Sequence, residues 1–415
     1  MYSIQSKRIQ IIGGTLLVAG SCIGAGMLAL PISTGASGFF PSVFVLFATW
    51  IFMLSTGFLL LEVNLCLGEG ANIVSMAEKT LGFPGKLIAW STFLFLFYCL
   101  IVAYASSISN LFVGVSDRVF AFPLPNWLGS LLFFVLFGSF IYFGTSSVDY
   151  FNRLLMIGLV FSYFVFLVSG FEYIDYSLLS FSQWKYAPFV VPVTIVGFGF
   201  HQLVPTLTTY FKGDVPSLKK VIFLGSFLSL VVYVLWEALV LGIVPLGGEN
   251  GLAQAMRNGE DATQVLLSTV QKSFLATAFQ YFAFFALTTS FLGVALSFVD
   301  FLSDGFGIKK DRIGKFYLCI MVMSPPFLMS LLYPRIFLSA LNYAGGFGAA
   351  LLFGALPPMM VWSARYRKGM NTRHCLLGGK KALLLVFFFA LAVIFFEFAQ
   401  ELGLSFLQAE AEGHP

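Results

Sequence analysis

Charge is what this chain has least of. Only 10% of its 415 residues are Asp, Glu, Lys or Arg, against about 25% in ordinary soluble domains. With 59% hydrophobic residues, 51 phenylalanines and a mean hydropathy of +0.91, too little polar surface remains to cover a water-soluble fold. Histidine is nearly absent, with three residues, and none of the five cysteines forms a CxxC pair. A multi-histidine metal centre, a zinc-ribbon site and a disulfide framework are therefore not expected, and no cofactor is implied. No phosphate-binding glycine loop occurs, and the longest polar connection, roughly 244–269, is too short for a nucleotide-binding domain. ATP-driven transport by this chain alone is not expected. The few basic loops read as topology signals rather than as a nucleic-acid surface.

What the chain has in quantity is apolar runs near 20 residues, each able to cross a bilayer about 30 Å thick. Eleven are counted, at 9–32, 38–66, 85–114, 127–145, 152–170, 187–211, 220–243, 270–302, 313–333, 335–361 and 381–399; they are called spans one to eleven. The opening "MYSIQSKRIQ" resembles a signal-peptide charged region, but the apolar run continues past any cleavage point, so it reads as a retained first span. With the N-terminus in the cytoplasm and strict alternation, all 23 basic residues but Arg118, Lys185, Arg257, Lys272 and Arg335 face the cytoplasm. The positive-inside rule selects that topology. The tail over 400–415 then lies outside the cytoplasm. The expected class is an all-α polytopic membrane protein in a lipid bilayer.

Span one holds "VAGSCIGAGMLALP", with Gly20, Ser21, Gly24, Ala25 and Gly26 near mid-membrane. A helix interior normally avoids glycine, which costs about 1 kcal/mol against alanine. Two readings stand open: close helix packing through Gly20-xxx-Gly24, or an unwound turn whose free N–H and C=O groups hold a ligand. Span six tips the balance. There "TIVGFGFHQLVPTLTTYF" places Phe198, Gly199, Phe200, His201, Gln202 and Pro205 near mid-membrane. Paired Gly/Pro breaks five spans apart are the pointer to an inverted-repeat transporter with its site between discontinuous helices. Residues 1–170 would form the first five-helix repeat, 187–361 the second, inverted repeat, and 381–399 an added eleventh helix. Helix-end N–H groups would hold a carboxylate and the exposed carbonyls an ammonium, as a free amino acid requires.

Further candidates are polar groups inside spans, which are expensive there. His201 is the only histidine within a span; it reads as a substrate contact, a proton relay or a packed core histidine. Glu62 and Glu237 read as coupling groups or as structurally paired acids. Asp300 and Asp304 lie at one end of span eight, where solvation or gating accounts for them, and interfacial solvation accounts for Glu397. Thr288, Thr289 and Ser290 could line a cation or proton path, or bond their own helix carbonyls. Phe198 and Phe200 are the preferred ring contacts, with Tyr98 and Tyr104 behind them. The six tryptophans are read mostly as interfacial belt residues.

Four stretches resemble the hydroxy and aromatic amino acid permeases of bacteria, within the amino acid–polyamine–organocation superfamily: "GGTLLVAGSCIGAGMLALP", "GFGFHQLVPTLTTYFKGD", "TTSFLGVALSFVDFLSDGFG" and "LLYPRIFLSALNYAGGFGA". They occur in order over residues 13 to about 350. The resemblance implies an eleven-span fold of the leucine-transporter class and substrate–proton symport across a bacterial inner membrane. "GAGMLALP" and the histidine of "GFGFH" look more like the tyrosine and tryptophan branch than the serine and threonine branch. A sodium site of the kind found in the fold class would join the span-eight hydroxyls to span-one carbonyls, so sodium stays open beside the proton. Gln202 stands where relatives more often have a small residue. Its amide suits a substrate hydroxyl and takes space from an indole, which favours L-tyrosine over tryptophan. A channel or a membrane enzyme fits the paired breaks poorly. Oligomeric state is not addressed by the sequence.

Overall fold

The computed structural model describes residues 2–68, 71–120, 124–143, 145–248, 250–269, 273–370 and 378–402. The part of the expected 400–415 tail beyond 402 lies outside the described residues. The described chain is helical, and its β pairing is one isolated bridge between Gly38 and Ser182.

Among the described residues, nine helices are long and apolar enough to cross a membrane: Phe39–Leu67, Phe83–Val113, Phe151–Tyr173, Trp184–Tyr210, Val215–Ile243, Phe274–Phe306, Arg312–Leu332, Phe337–Arg367 and Lys380–Glu401. They correspond in order to spans two, three and five to eleven. Span one is a bent pair, Lys7–Cys22 and Gly26–Thr34, with 52° between its halves. At the place of span four stands a shorter apolar helix, Trp127–Phe143. The protein is a multi-pass, all-helical membrane protein.

Burial sorts the helices into centre and rim. In span ten 83% of the apolar window is buried, against 28% in spans five, nine and eleven. The rim helices turn large residues outward, among them Ile157, Phe161, Phe164, Leu328, Phe388 and Phe395. Such residues have no water-compatible role, but lipid tails accept them. The first half of span one lies along span seven, and span five along span eight. The second half of span one meets the first half of span six.

Each break has a local cause. Gly24 is extended, at φ −163° and ψ −149°, which ends the first half-helix and lets the second start at Ala25. In span six the helix over Val191–Gly197 stops, Phe198 to Phe200 leave helical geometry, and a short 3₁₀ turn over His201–Leu203 leads into Val204–Tyr210. Pro205 sits in the first turn of that last piece, where a missing N–H costs nothing. The proline starts a half-helix here rather than kinking a continuous one.

Two short helices, Leu252–Asn258 and Ala262–Thr269, lie between spans seven and eight. They pack on the second half of span one, so this connection belongs to the core of the fold.

Candidate functional site

The two breaks face each other. A Cβ placed on Gly26 would lie 3.4 Å from Gly197 Cα, so the backbones approach with nothing between them. Beside this crossing is a cavity of about 50 Å³. Its polar walls are Ser21, Cys22, Gly24, Gly26, Tyr104, Gly199 and Gln202. Leu96, Leu100, Val196, Val294, Ala349 and Phe353 make the apolar remainder. That space holds one or two waters at about 30 Å³ each and is well below the ~300 Å³ at which small-molecule pockets begin. A substrate with an aromatic ring therefore requires the walls to part.

One side chain joins both breaks. Tyr233 of span seven has its hydroxyl 2.6 Å from the Cys22 carbonyl and 2.7 Å from the Gly197 carbonyl. Each of those carbonyls ends the first half-helix of its span, where no intrahelical N–H follows. A hydroxyl has one proton, so two helix-end acceptors share one donor. Tyr233 is wholly buried, and Phe198 packs on its ring edge-on at 5.3 Å. Span eight reaches the other side of the first break: Ser290 Oγ is 3.5 Å from the Ile23 carbonyl. A Cβ on Gly24 would collide with that Oγ and sit 3.1 Å from Ser290 Cβ.

The sequence-derived candidates divide here. Ser21, Gly24, Gly26, Gly199 and Gln202 line the cavity. Gly20 instead faces Met156 of span five, and Ala25 begins the second half-helix. Phe198, Phe200 and His201 are buried outside the lining. His201 Nε2 is 2.8 Å from Thr56 Oγ1 of span two. The Thr56 hydroxyl also lies 3.1 Å from the Met53 carbonyl, so it joins the imidazole to the span-two backbone. The imidazole stacks between Phe200 and Phe353, at 4.7 and 4.8 Å. His201 backs the cavity wall at Phe353, on which it stacks. Of the tyrosines, Tyr104 lines the cavity, whereas Tyr98 donates to the Met321 carbonyl at 2.9 Å.

The acids also separate. Glu62 accepts from Arg365 Nε and Nη2, both at 2.6 Å, and the pair is buried between spans two and ten. Glu237 accepts from the Thr34 hydroxyl at 2.6 Å, at the end of span one's second half; its Oε1 has no partner among the described residues. Asp300 pairs with Lys310 at 2.8 Å on the exposed end of span eight, where Asp304 is also exposed. Thr289 bonds its own helix at the Phe285 carbonyl, 2.8 Å away, and the Thr288 hydroxyl is buried without a partner among the described residues. Two expectations are corrected. Glu397 is buried rather than solvated, because Gly346 of span ten leaves room for its carboxyl. Trp236 is not interfacial; it is buried among Phe166, Phe279 and Phe282.

Sequence reasoning missed three residues of this region. Tyr233 sits in an unbroken span with no mark to single it out. Phe353 was one phenylalanine among 51. Arg365 counted as a loop cation, although the acid at Glu62 called for a partner. Among the described residues no group of three His, Cys, Asp or Glu could hold a metal ion.

Two interrupted helices meeting around a small buried cavity, inside a bundle of membrane-crossing helices, define a polytopic membrane protein with a broken-helix centre. The chain belongs to the tryptophan/tyrosine permease family, whose profile matches residues 7–397. It is 31% identical over 415 residues to the tryptophan-specific transport protein of Haemophilus influenzae, covering 96% of this chain and 98% of the relative. The tyrosine-specific transport system 1 of the same organism is 32% identical over 403 residues, covering 94% and 97%. The low affinity tryptophan permease of Escherichia coli K12 is 26% identical over 396 residues, covering 94% and 95%. The protein is thus a permease and not an enzyme.

Proposed function

We propose that this permease imports an aromatic amino acid, with L-tyrosine preferred, by proton symport across a bacterial inner membrane. The observation that carries the reading is the meeting of the two breaks around a cavity walled by Gly24, Gly26, Tyr104, Gly199 and Gln202. Relatives with tryptophan-specific and tyrosine-specific transport in their names support the aromatic class. In this reading the helix-end N–H groups at Ala25 and Gly26 take the substrate carboxylate, and break carbonyls take its ammonium. Gln202 and Tyr104 are the polar side chains placed to meet a phenolic hydroxyl; His201 is spent on span two. The shorter helix Trp127–Phe143 completes eleven spans. Residues 1–170 and 187–361 form inverted five-helix repeats, with 381–399 added at the rim. The N-terminus is cytoplasmic.

Glu237 is the coupling carboxyl in this reading. Glu62 is neutralised by Arg365 and Asp300 by Lys310. Among the described residues Glu237 bonds only to a neutral hydroxyl, and that hydroxyl belongs to the second half of span one. Gaining or losing a proton there changes the bond to Thr34. Sodium is the second reading, favoured by the span-eight hydroxyl of Ser290 beside the Ile23 carbonyl.

Proteoliposomes carrying the purified protein test both. Labelled tyrosine should accumulate when the outside is acidified, and a sodium gradient alone should do little. Glu237→Gln should abolish the response to pH. Uptake that follows sodium and ignores pH would reverse the coupling. Excess tryptophan or phenylalanine should compete at least about tenfold less well than tyrosine, a difference of about 1.4 kcal/mol. Gln202→Gly should shrink that gap. Equal competition by all three in the native protein would sink hydroxyl recognition.

A further inference from the structure

A second cavity, of about 290 Å³, lies between span three, span eight and the helical connection over 250–269. It shares no lining residue with the cavity at the breaks. Its polar walls include Asp261 and the carboxamides of Asn110, Gln264 and Gln280; Leu111 and Leu267 contribute apolar surface.

Asp261 is the chemical centre of this space. Asp261 is 3% exposed. Oδ1 accepts from the Thr263 and Gln264 backbone N–H groups, at 2.8 and 3.3 Å, and Oδ2 accepts from the Ser107 hydroxyl. These partners are all neutral, and among the described residues no Lys, Arg or His lines the cavity. A carboxylate withdrawn from water without a cation is costly, and it meets its complement in an arriving ammonium. Carboxamide N–H groups on the facing walls suit a carboxylate, and the leucines suit a side chain.

We propose that this cavity is a second amino acid site, with the ammonium on Asp261 and the carboxylate on the carboxamides of Asn110, Gln264 and Gln280. The proposal rests on the amino acid permease reading above and adds to it a place outside the central site. The same connection bears on the central site. Its helices pack on the second half of span one, and a Cβ on Gly35 would lie 2.9 Å from Leu252 Cβ. An occupant of this cavity touches the element that packs on the second half of span one.

The test is equilibrium binding of labelled L-tyrosine to the purified full-length protein in detergent, run beside uptake in proteoliposomes. The native protein should bind two equivalents. Asp261→Asn keeps an acceptor able to cap the helix that follows but removes the charge; it should bind one. Gln280→Leu, on a different element, should also bind one, so the result does not depend on the loop's folding. Gly24→Val closes the central cavity and should bind one at the remaining site. Native protein that transports tyrosine yet binds one equivalent, unchanged by Asp261→Asn or Gln280→Leu, would overturn the second site and leave the permease reading intact. Native protein that neither binds nor transports any aromatic amino acid would remove that reading, and this proposal with it.

Discussion

Replacing Gly24 by alanine isolates one steric contact at the first break. The backbone there is extended, at φ −163°, which any L-residue adopts, so the substitution adds no backbone strain. It adds one methyl in contact with Ser290: 3.1 Å from its Cβ and in collision with its Oγ. Rotating the hydroxyl away relieves the second contact but not the first. Tyr104 Oη, 3.8 Å from the same point, limits retreat toward span three. Forcing a methyl into a packed site costs about 1–3 kcal/mol. Gly→Ala also returns about 0.4–1 kcal/mol by restricting the unfolded chain, which cancels the clash only at the low end of the clash's range. At the middle of both ranges the net cost is about 1.3 kcal/mol, so tyrosine uptake by Gly24→Ala should fall about tenfold if that cost falls on the binding-competent state. The midpoint of thermal unfolding in detergent should fall as well. Ser290→Gly removes both obstructing atoms, so the double variant should recover most of the loss. The cycle should give a coupling energy on the order of 1–3 kcal/mol, as for residues in contact. Gly13→Ala is the control: its Cβ would meet nothing within 4 Å, so it should keep native uptake and gain slight stability. Native uptake by Gly24→Ala, or additive losses in the double variant, would refute the placement of Ser290 against the break.

Tyr233→Phe keeps the ring and removes the one proton shared by the Cys22 and Gly197 carbonyls; leaving buried acceptors unmet costs about 1–3 kcal/mol. Lower thermal stability and weaker tyrosine binding should appear together, and unchanged binding would show that the bridge does not hold the site. Arg365→Ala strands the Glu62 carboxylate in the core and should cost about 3–5 kcal/mol, while Glu62→Leu with Arg365→Met should cost far less. Lys7→Ala breaks the exposed pair with Asp214, 2.6 Å apart, and should cost no more than about 1 kcal/mol; thermal unfolding of these variants checks the contrast. The bond from Lys7, then that from Ser217, holds the Asp214 carboxyl below its ordinary 3.8. Its contribution is present above that value and fades as pH falls through the lower, folded one, so the difference between Lys7→Ala and native protein should vanish in strong acid.

Membrane class, the order of apolar segments and the two breaks were legible in the sequence because each has a local cause. Twenty apolar residues suffice to cross lipid wherever they stand. Gly24 ends a helix through its own backbone, and Pro205 starts one through its missing N–H. The same reasoning found the right neighbourhood for the cavity: Ser21, Gly24, Gly26, Gly199 and Gln202 were all candidates and all line it. It left open what depends on which way a side chain points. His201 and Gln202 are adjacent, yet Gln202 lines the cavity and His201 bonds to Thr56 of span two. Neighbours on a helix differ by about 100° in direction, and beside a break the phase is set by how the half-helices pack. The sequence alone left Glu62 open between coupling and pairing. Only the fold brought Arg365, 303 residues away, into contact with it. It also brought Tyr233 across from span seven to join the two breaks. Such partners depend on the mutual orientation of whole helices, which no local spacing encodes.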